Sequence, residues 1–152
     1  MTDLPLVVIT GASSGIGAAT ARVFAAAGHP LLLIARRLQP MVELGLENAE
    51  LAAVDVTDTA AVAEALARAE ERFGAADLLV NNAGLMALSA VAEQDPALVQ
   101  EQFDVNCVAL MKNSQLVLPG MQTRRRGTIV NIGSIAGKQL YTDHTVYNGT
   151  KY

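Results

Sequence analysis

The chain has 152 residues, of which 51% are hydrophobic and 17% charged, and carries a formal net charge of −4. That length and apolar content suit one domain with a buried core and exclude a disordered segment. The acidic balance argues against a nucleic-acid partner. Cys107, the sole cysteine, leaves no internal disulfide and fits a reducing compartment. The opening MTDLPLVVIT lacks the basic start and long apolar core of a signal peptide. No apolar run reaches the ~20 residues of a membrane span, so a cytoplasmic address without a membrane partner is expected.

The first predicted strand covers residues 6–10 (LVVIT). It hands over to TGASSGIG, residues 10–17, and then to a helix whose predicted buried stripe is Ile16, Thr20, Val23, Phe24 and Ala27. Glycines at a strand-to-helix turn let the backbone approach a diphosphate, and the helix N-terminus beyond offers free amides to an anion. The spacing of Gly11, Gly15 and Gly17 is G-x-x-x-G-x-G, different from G-x-G-x-x-G. Its place between strand and helix makes nucleotide binding the better reading than a plain turn.

A second strand at 31–35 runs into LIARR. A carboxylate at this turn suits a ribose 2′-hydroxyl, whereas an arginine suits a 2′-phosphate. Arg36 and Arg37 therefore favour NADP over NAD, with a pair of solvated arginines as the plainer alternative. A short helix is expected within 37–48. The third strand, 51–56, ends in VDVT; Asp55 is placed to receive an adenine amino group or to cap the helix starting near Asp58. That helix has the stripe Val62, Leu66, Ala69 and Phe73, with Glu64 and Arg68 as a surface pair.

The fourth strand, 78–81, leads into NNAG, where Asn82, Ala83 and Gly84 let backbone lie against a ribose, or where the asparagines tie strand ends together. A long helix is predicted from Pro96 to about Leu118, ended near Pro119 and Gly120. Its apolar face, Val99, Phe103, Leu110 and Val117, also carries Asn106 and Asn113. A polar amide on a buried face needs a partner, so Asn106 either satisfies neighbouring backbone or holds an ordered water. Cys107 reads as a buried, inert thiol. Arg124, Arg125 and Arg126 read as a solvated turn.

The fifth strand, 128–132, precedes NIGSIAG and Ser134, and the chain closes on VYNGTKY. At helical spacing Tyr147 and Lys151 share one face, and an ammonium held near a phenol favours phenolate. His29 and His144 have no metal-ligand spacing, and no metal site is expected. The nearly continuous apolar strands alternate with helices, which predicts an α/β fold with a doubly wound parallel sheet, Rossmann-like and covered on both faces.

Together TGASSGIG, VDVT, NNAG, Asn106, Ser134 and Tyr147-x-x-x-Lys151 resemble the classical branch of the short-chain dehydrogenase/reductase family, in order from Leu6 to Lys151. The resemblance implies strand order 3-2-1-4-5 for the part present and a single dinucleotide-binding domain over residues 1–152. It implies that Gly11, Ser13, Ser14, Gly15, Ile16 and Gly17 surround the cofactor diphosphate and adenosine ribose. By the same resemblance Arg36 meets the 2′-phosphate, Asp55 and Val56 the adenine, and Asn82, Ala83 and Gly84 the central portion. Tyr147 is the implied general acid or base. Lys151 supports it and holds the nicotinamide ribose, Ser134 bonds the substrate oxygen, and Asn106 supports a relay water. Tyr141 and Tyr152 lack the matching lysine.

The implied activity is hydride transfer between NADP(H) and a carbonyl or secondary alcohol, such as a 3-oxoacyl thioester or small hydroxy compound. The implied partner is a second copy, in a homodimer or homotetramer. A nucleotide-binding regulatory or scaffold protein without turnover is the alternative. Family members continue through two more strands and a substrate-covering loop, so the Tyr147–Lys151 turn is expected to be frayed or displaced in these 152 residues.

Overall fold

A computed structural model describes residues 4–152. Its centre is a five-stranded sheet of order β3-β2-β1-β4-β5, parallel in every pairing. The strands are β1 Leu6–Thr10, β2 Leu31–Ala35, β3 Ala49–Ala53, β4 Ala76–Asn81 and β5 Thr128–Asn131. The predicted fold class and strand order are both found.

The unbroken apolar spelling of β1 and β2 follows from their place at the middle of the sheet. Leu6, Val8, Leu32 and Ile34 point to one face, where they meet Val62, Leu66, Val117 and Met121. Val7, Ile9, Leu31 and Leu33 point to the other, against Ala21 and Met41. Side chains alternate along a strand, so both faces need apolar residues only where helices cover both. The outer strands do not meet that condition. Within β5 only Ile129 is partly buried, and β3 buries only Ala52 fully.

Strand β3 also begins and ends earlier than the predicted 51–56. It pairs with β2 from Leu31↔Ala49 to Ala35↔Ala53, and the chain turns away at Asp55, whose carboxylate accepts from Thr57 N. The half-exposed Ala49 and Glu50 hid the strand's start from an apolar-run criterion.

Helix α1, Gly15–Ala26, packs on a face different from the predicted one. It buries Gly17, Ala18 and Ala21, while Ile16 and Val23 are 61% and 68% exposed. Small residues bring this helix close to the sheet, and that proximity, rather than side-chain size, selects the buried face. Helix α2 is the short Gln39–Val42, within the segment where a helix was expected. Helix α3, Thr59–Phe73, buries Val62, Leu66 and Ala69 as predicted, with Phe73 packed at the core margin. Its N-cap is Asp58, which accepts from Ala61 N. Arg68 pairs with Glu50 at 3.5 Å, beside Arg72 at 3.4 Å on the same carboxylate, and not with Glu64.

The predicted long helix is three pieces. Helix α4, Pro96–Phe103, passes into a π-helical segment, Asp104–Ala109, and then into α5, Leu110–Arg124. Buried along it are Gln102, Asn106, Asn113 and Val117, whereas Phe103 is 38% exposed. Pro119 does not end it. The helix continues to Arg124, which folds back over Gly120 and reaches Ala76 O at 2.9 Å and Asp77 at 3.1 Å. Arg126 also pairs with Asp77, so two of the three arginines carry ion pairs on a turn that is solvent-exposed as predicted. Arg125 closes the helix in the left-handed region, φ 53°. Helix α6, Thr145–Lys151, is formed, not frayed: Asn148 Nδ2 donates to Gln139 O and Lys151 Nζ to Ile132 O.

The α1 approach generates a test. Replacing a helical glycine by alanine ordinarily stabilises by about 1 kcal/mol. At Gly17 a Cβ would collide with Gly11 O and stand 2.5 Å from Asn82 Nδ2. Gly17→Ala is therefore expected to lower unfolding free energy by about 1–3 kcal/mol in urea titration. Unchanged or raised stability would show that the helix does not need this proximity.

Candidate functional site

Thr10 ends β1 with its side chain buried, and its hydroxyl ties the two central loops together. It accepts from Asn82 N and Ala83 N, each at 3.0 Å, and donates to Val80 O at 3.4 Å. Asn82 returns the contact by donating Nδ2 to Thr10 O at 2.9 Å and to Gly11 O at 3.2 Å. The loop after β1 and the loop after β4 thus sit side by side where strand order reverses, the point where open parallel sheets bind ligands.

A cleft of about 330 Å³ opens there. Its lining includes the predicted residues Gly11, Ser13, Ser14, Arg36, Asp55, Val56, Asn82, Ala83 and Gly84. Gly15, Ile16 and Gly17 lie outside the lining. Gly15, at φ 53°, faces open space, with no atom within 4 Å of where a Cβ would stand, whereas Gly17 serves packing. Gly11, at φ 67°, has Ala83 Cα within 2.8 Å of the corresponding position, so this turn needs glycine on both counts.

Polar groups ring the cleft. Arg36 faces Glu101 of α4 across 3.9 Å, and Arg37 donates to Ser13 Oγ at 3.4 Å. Neither Glu101 nor Arg37's bond was assigned from sequence. Asp55 accepts from both Thr57 N at 2.9 Å and Thr57 Oγ1 at 2.7 Å. Burial pushes its carboxyl upward, but the Thr57 bonds and the nearby Arg36 charge outweigh that and hold it below its ordinary value. Asp55 does not cap α3; Asp58 does.

Asn106, Ser134, Tyr147 and Lys151 lie outside the cleft lining, and Gly84 is the lining residue that stands next to two of them. A Cβ on Gly84 would stand 3.5 Å from Asn106 Oδ1 and 3.8 Å from Lys151 Nζ, which brings the NNAG loop, the π segment and α6 to one point. Asn106 is 4% exposed. Its Oδ1 accepts from Leu85 N at 2.8 Å, and its Nδ2 donates to Leu85 O at 2.8 Å and Thr150 Oγ1 at 2.9 Å. Both amide N–H groups therefore bond to protein atoms, one on backbone and one on a side chain. Lys151 Nζ donates to Ile132 O at 3.2 Å and lies 6.0 Å from the Tyr147 ring centroid. Ser134 accepts from Ala136 N at 3.1 Å in the turn after β5.

Sequence reasoning missed Thr150, which marks no periodic stripe. It also missed His144, whose ring packs between those of Tyr141 and Tyr147 at 5.4 and 6.4 Å. Cys107 is half-buried, with Sγ 3.5 Å from Thr150 O. Among the described residues no group of His, Cys, Asp and Glu is arranged to hold a metal, and no helix is long and apolar enough to cross a membrane.

The family model described as short chain dehydrogenase matches residues 5–152. The chain belongs to that family. It is 38% identical over 151 residues to an uncharacterized oxidoreductase of Staphylococcus saprophyticus, covering 95% of this chain and 64% of the relative. It is 39% identical over 151 residues to the NADP-dependent 3-hydroxy acid dehydrogenase of Salmonella typhi, covering 96% and 60%. A metagenomic short-chain oxidoreductase, solved in complex with NADP, superposes with a TM-score of 0.90 at 32% identity, covering 97% of this chain and 70% of that one. The chain spans about three fifths of the length of these curated relatives.

Asp55 provides a pH test. Because its folded value is depressed, its contribution to stability is full above the unfolded carboxylate value of about 3.9 and is lost as pH falls through the lower folded value. Asp55→Asn is therefore expected to be less stable than the parent near neutrality, with the difference closing below about pH 4. A difference independent of pH in thermal melts would contradict the assigned bonds.

Proposed function

We propose that the chain is the dinucleotide-binding and catalytic part of an oxidoreductase that moves a hydride between NADP(H) and a carbonyl or secondary alcohol. The observation that carries this reading is that Gly84, which lines the same cleft as Arg36, stands beside Asn106 and Lys151. The naming of the Salmonella typhi relative and the NADP held by the metagenomic oxidoreductase support the cofactor. Residues 1–152 act here as a single domain.

The cleft suits a dinucleotide. Gly11 and Gly84 leave the backbone bare, Gly15 opens the turn ahead of α1, and Arg36 offers a guanidinium to a phosphate. Ser13, Ser14, Gly15, Ile16 and Gly17 accompany the diphosphate side, Asp55 and Val56 the adenine, and Asn82 and Ala83 the middle. Bound NADPH supplies the hydride.

Tyr147 gives its phenolic proton to the carbonyl oxygen in reduction and takes it back in oxidation. Lys151 Nζ stands 6.0 Å from the Tyr147 ring centroid. Lys151 also holds the nicotinamide ribose, and Ser134 donates to the substrate oxygen. Asn106 acts by fixing the loop at Leu85.

The proposal includes a cytoplasmic setting and self-association into a two-fold dimer or tetramer through α4, α5 and α6. Phe103, Met111 and Leu118 are 38%, 54% and 40% exposed along that helical run, which supports a covered surface. Light scattering that finds only monomer at micromolar concentration, or recovery of the protein with membranes on fractionation, would contradict these points.

NADPH is expected to bind more tightly than NADH in fluorescence titration, and Arg36→Ala to erase most of that preference. Tyr147→Phe keeps the ring and is expected to retain cofactor binding while losing roughly 10²- to 10⁴-fold in turnover. Equal affinities in the parent protein would sink the cofactor assignment. Full turnover in Tyr147→Phe would sink the proton-donor assignment.

A further inference from the structure

We propose that Thr150 is a positioning residue that sets Tyr147 and Lys151 in register with the cofactor cleft. The proposal rests on Tyr147 being the proton donor.

Thr150 is 9% exposed. Its hydroxyl donates to Tyr147 O at 2.8 Å and accepts from Asn106 Nδ2 at 2.9 Å. A threonine that bonds back to a carbonyl in its own helix is common and local in effect. The second bond is what differs. It reaches Asn106, forty-four positions away in sequence, in the π-helical segment between α4 and α5.

Asn106 in turn grips both the N–H and the C=O of Leu85, each at 2.8 Å. Hydrogen bonds therefore run without a break from the backbone of the loop after β4 to the backbone of the reacting tyrosine. That loop begins with Asn82, Ala83 and Gly84, which line the cleft.

The remaining contacts show why this one bond decides register. Lys151 Nζ holds α6 to Ile132 O on the β5 side, and Asn148 Nδ2 holds it to Gln139 O. Both anchor α6 to the segment following β5. Thr150 ties it by side chain to Asn106 of the π-helical segment, and through Asn106 to Leu85 in the loop after β4. Gly84 sits between the two anchors, with Asn106 Oδ1 and Lys151 Nζ on either hand. Without the hydroxyl, α6 keeps its helix, its β5-side contacts and the weaker Cys107 Sγ contact to Thr150 O, but loses the side-chain bond to Asn106 that links Tyr147 to the Gly84 loop. An Asn106 N–H would also be left unbonded in a buried place, which favours rearrangement there.

The chemistry of the alternatives separates positioning from packing. Valine keeps the shape of threonine and removes the hydroxyl. Serine keeps the hydroxyl and removes a methyl group. A residue that only fills space tolerates valine; one that acts through its hydroxyl tolerates serine.

The test uses the intact enzyme and a carbonyl substrate found by screening with NADPH. A displacement near 1 Å at a reacting group can cost about 10²-fold. Thr150→Val is therefore expected to lose about 10- to 100-fold in kcat, with substrate KM nearly unchanged. Thr150→Ser is expected to restore kcat. Asn106→Ala combined with Thr150→Val is expected to be no slower than Asn106→Ala alone, since the two belong to one path. If the valine variant does not fold, Thr150→Ala, which adds no bulk, replaces it with the same expectation.

Undiminished kcat in Thr150→Val or Thr150→Ala, serine as damaging as valine, or losses that multiply in the double variant would each overturn the proposal. Tyr147→Phe runs beside these. If it loses turnover while the Thr150 variants do not, only the positioning role fails. If it keeps full turnover, the proton-donor reading fails and this proposal with it.

Discussion

The site depends on how the ends of β1 and β4 are joined. Thr10 Oγ1 accepts two backbone N–H groups from the β4 loop, and Asn82 Nδ2 answers with two bonds to the β1 loop. A buried network in which each group is satisfied is stiff, so the distance between the two loops is fixed where strand order reverses. Gly17 belongs to the same constraint, because any side chain there would meet Gly11 O and Asn82 Nδ2. The crevice therefore owes its width to ties between the Thr10 and Asn82 side chains and the backbone of the facing loop.

Function follows from what that joint extends into. One arm of the β4 loop passes through Gly84 to Leu85, where Asn106 takes over the bonding. The sheet edge beyond β4 delivers Ile132, the acceptor for Lys151. Charge is arranged along the same line. Arg36 lines the cleft and Lys151 stands beside Gly84, while Asp55 stays bonded to Thr57. In a chain of net charge −4 the cleft lining balances two arginines, Arg36 and Arg37, against two carboxylates, Asp55 and Glu101.

How much of this the sequence discloses depends on whether the information is local. The central strands are legible because Val7, Val8, Leu32 and Leu33 must all be apolar when helices cover both faces. β3 is displaced by two residues from its apolar run because it lies at an edge, where Glu50 is tolerated and pairs with Arg68 and Arg72. The buried face of α1 is hidden because Gly17, Ala18 and Ala21 carry it, and no periodicity of large residues reports a packing of small ones. Pro119 misleads: the helix runs on to Arg124, which bonds to Ala76 O in β4. The same division applies to the site. Glycine turns, Arg36 and NNAG announce themselves within a few residues, and Asn106 does so by sitting on an apolar face. Thr150 and Glu101 acquire meaning only through partners distant in the chain.

The crystal structure of the protein with NADP+ bound is the most direct measurement of whether this joint builds a cofactor site facing Tyr147. The dinucleotide is expected to cross the ends of β1 and β4, with its 2′-phosphate on Arg36 and its nicotinamide ring beside Tyr147 and Lys151. A dinucleotide bound elsewhere, or one whose nicotinamide end points away from Tyr147, would contradict the account.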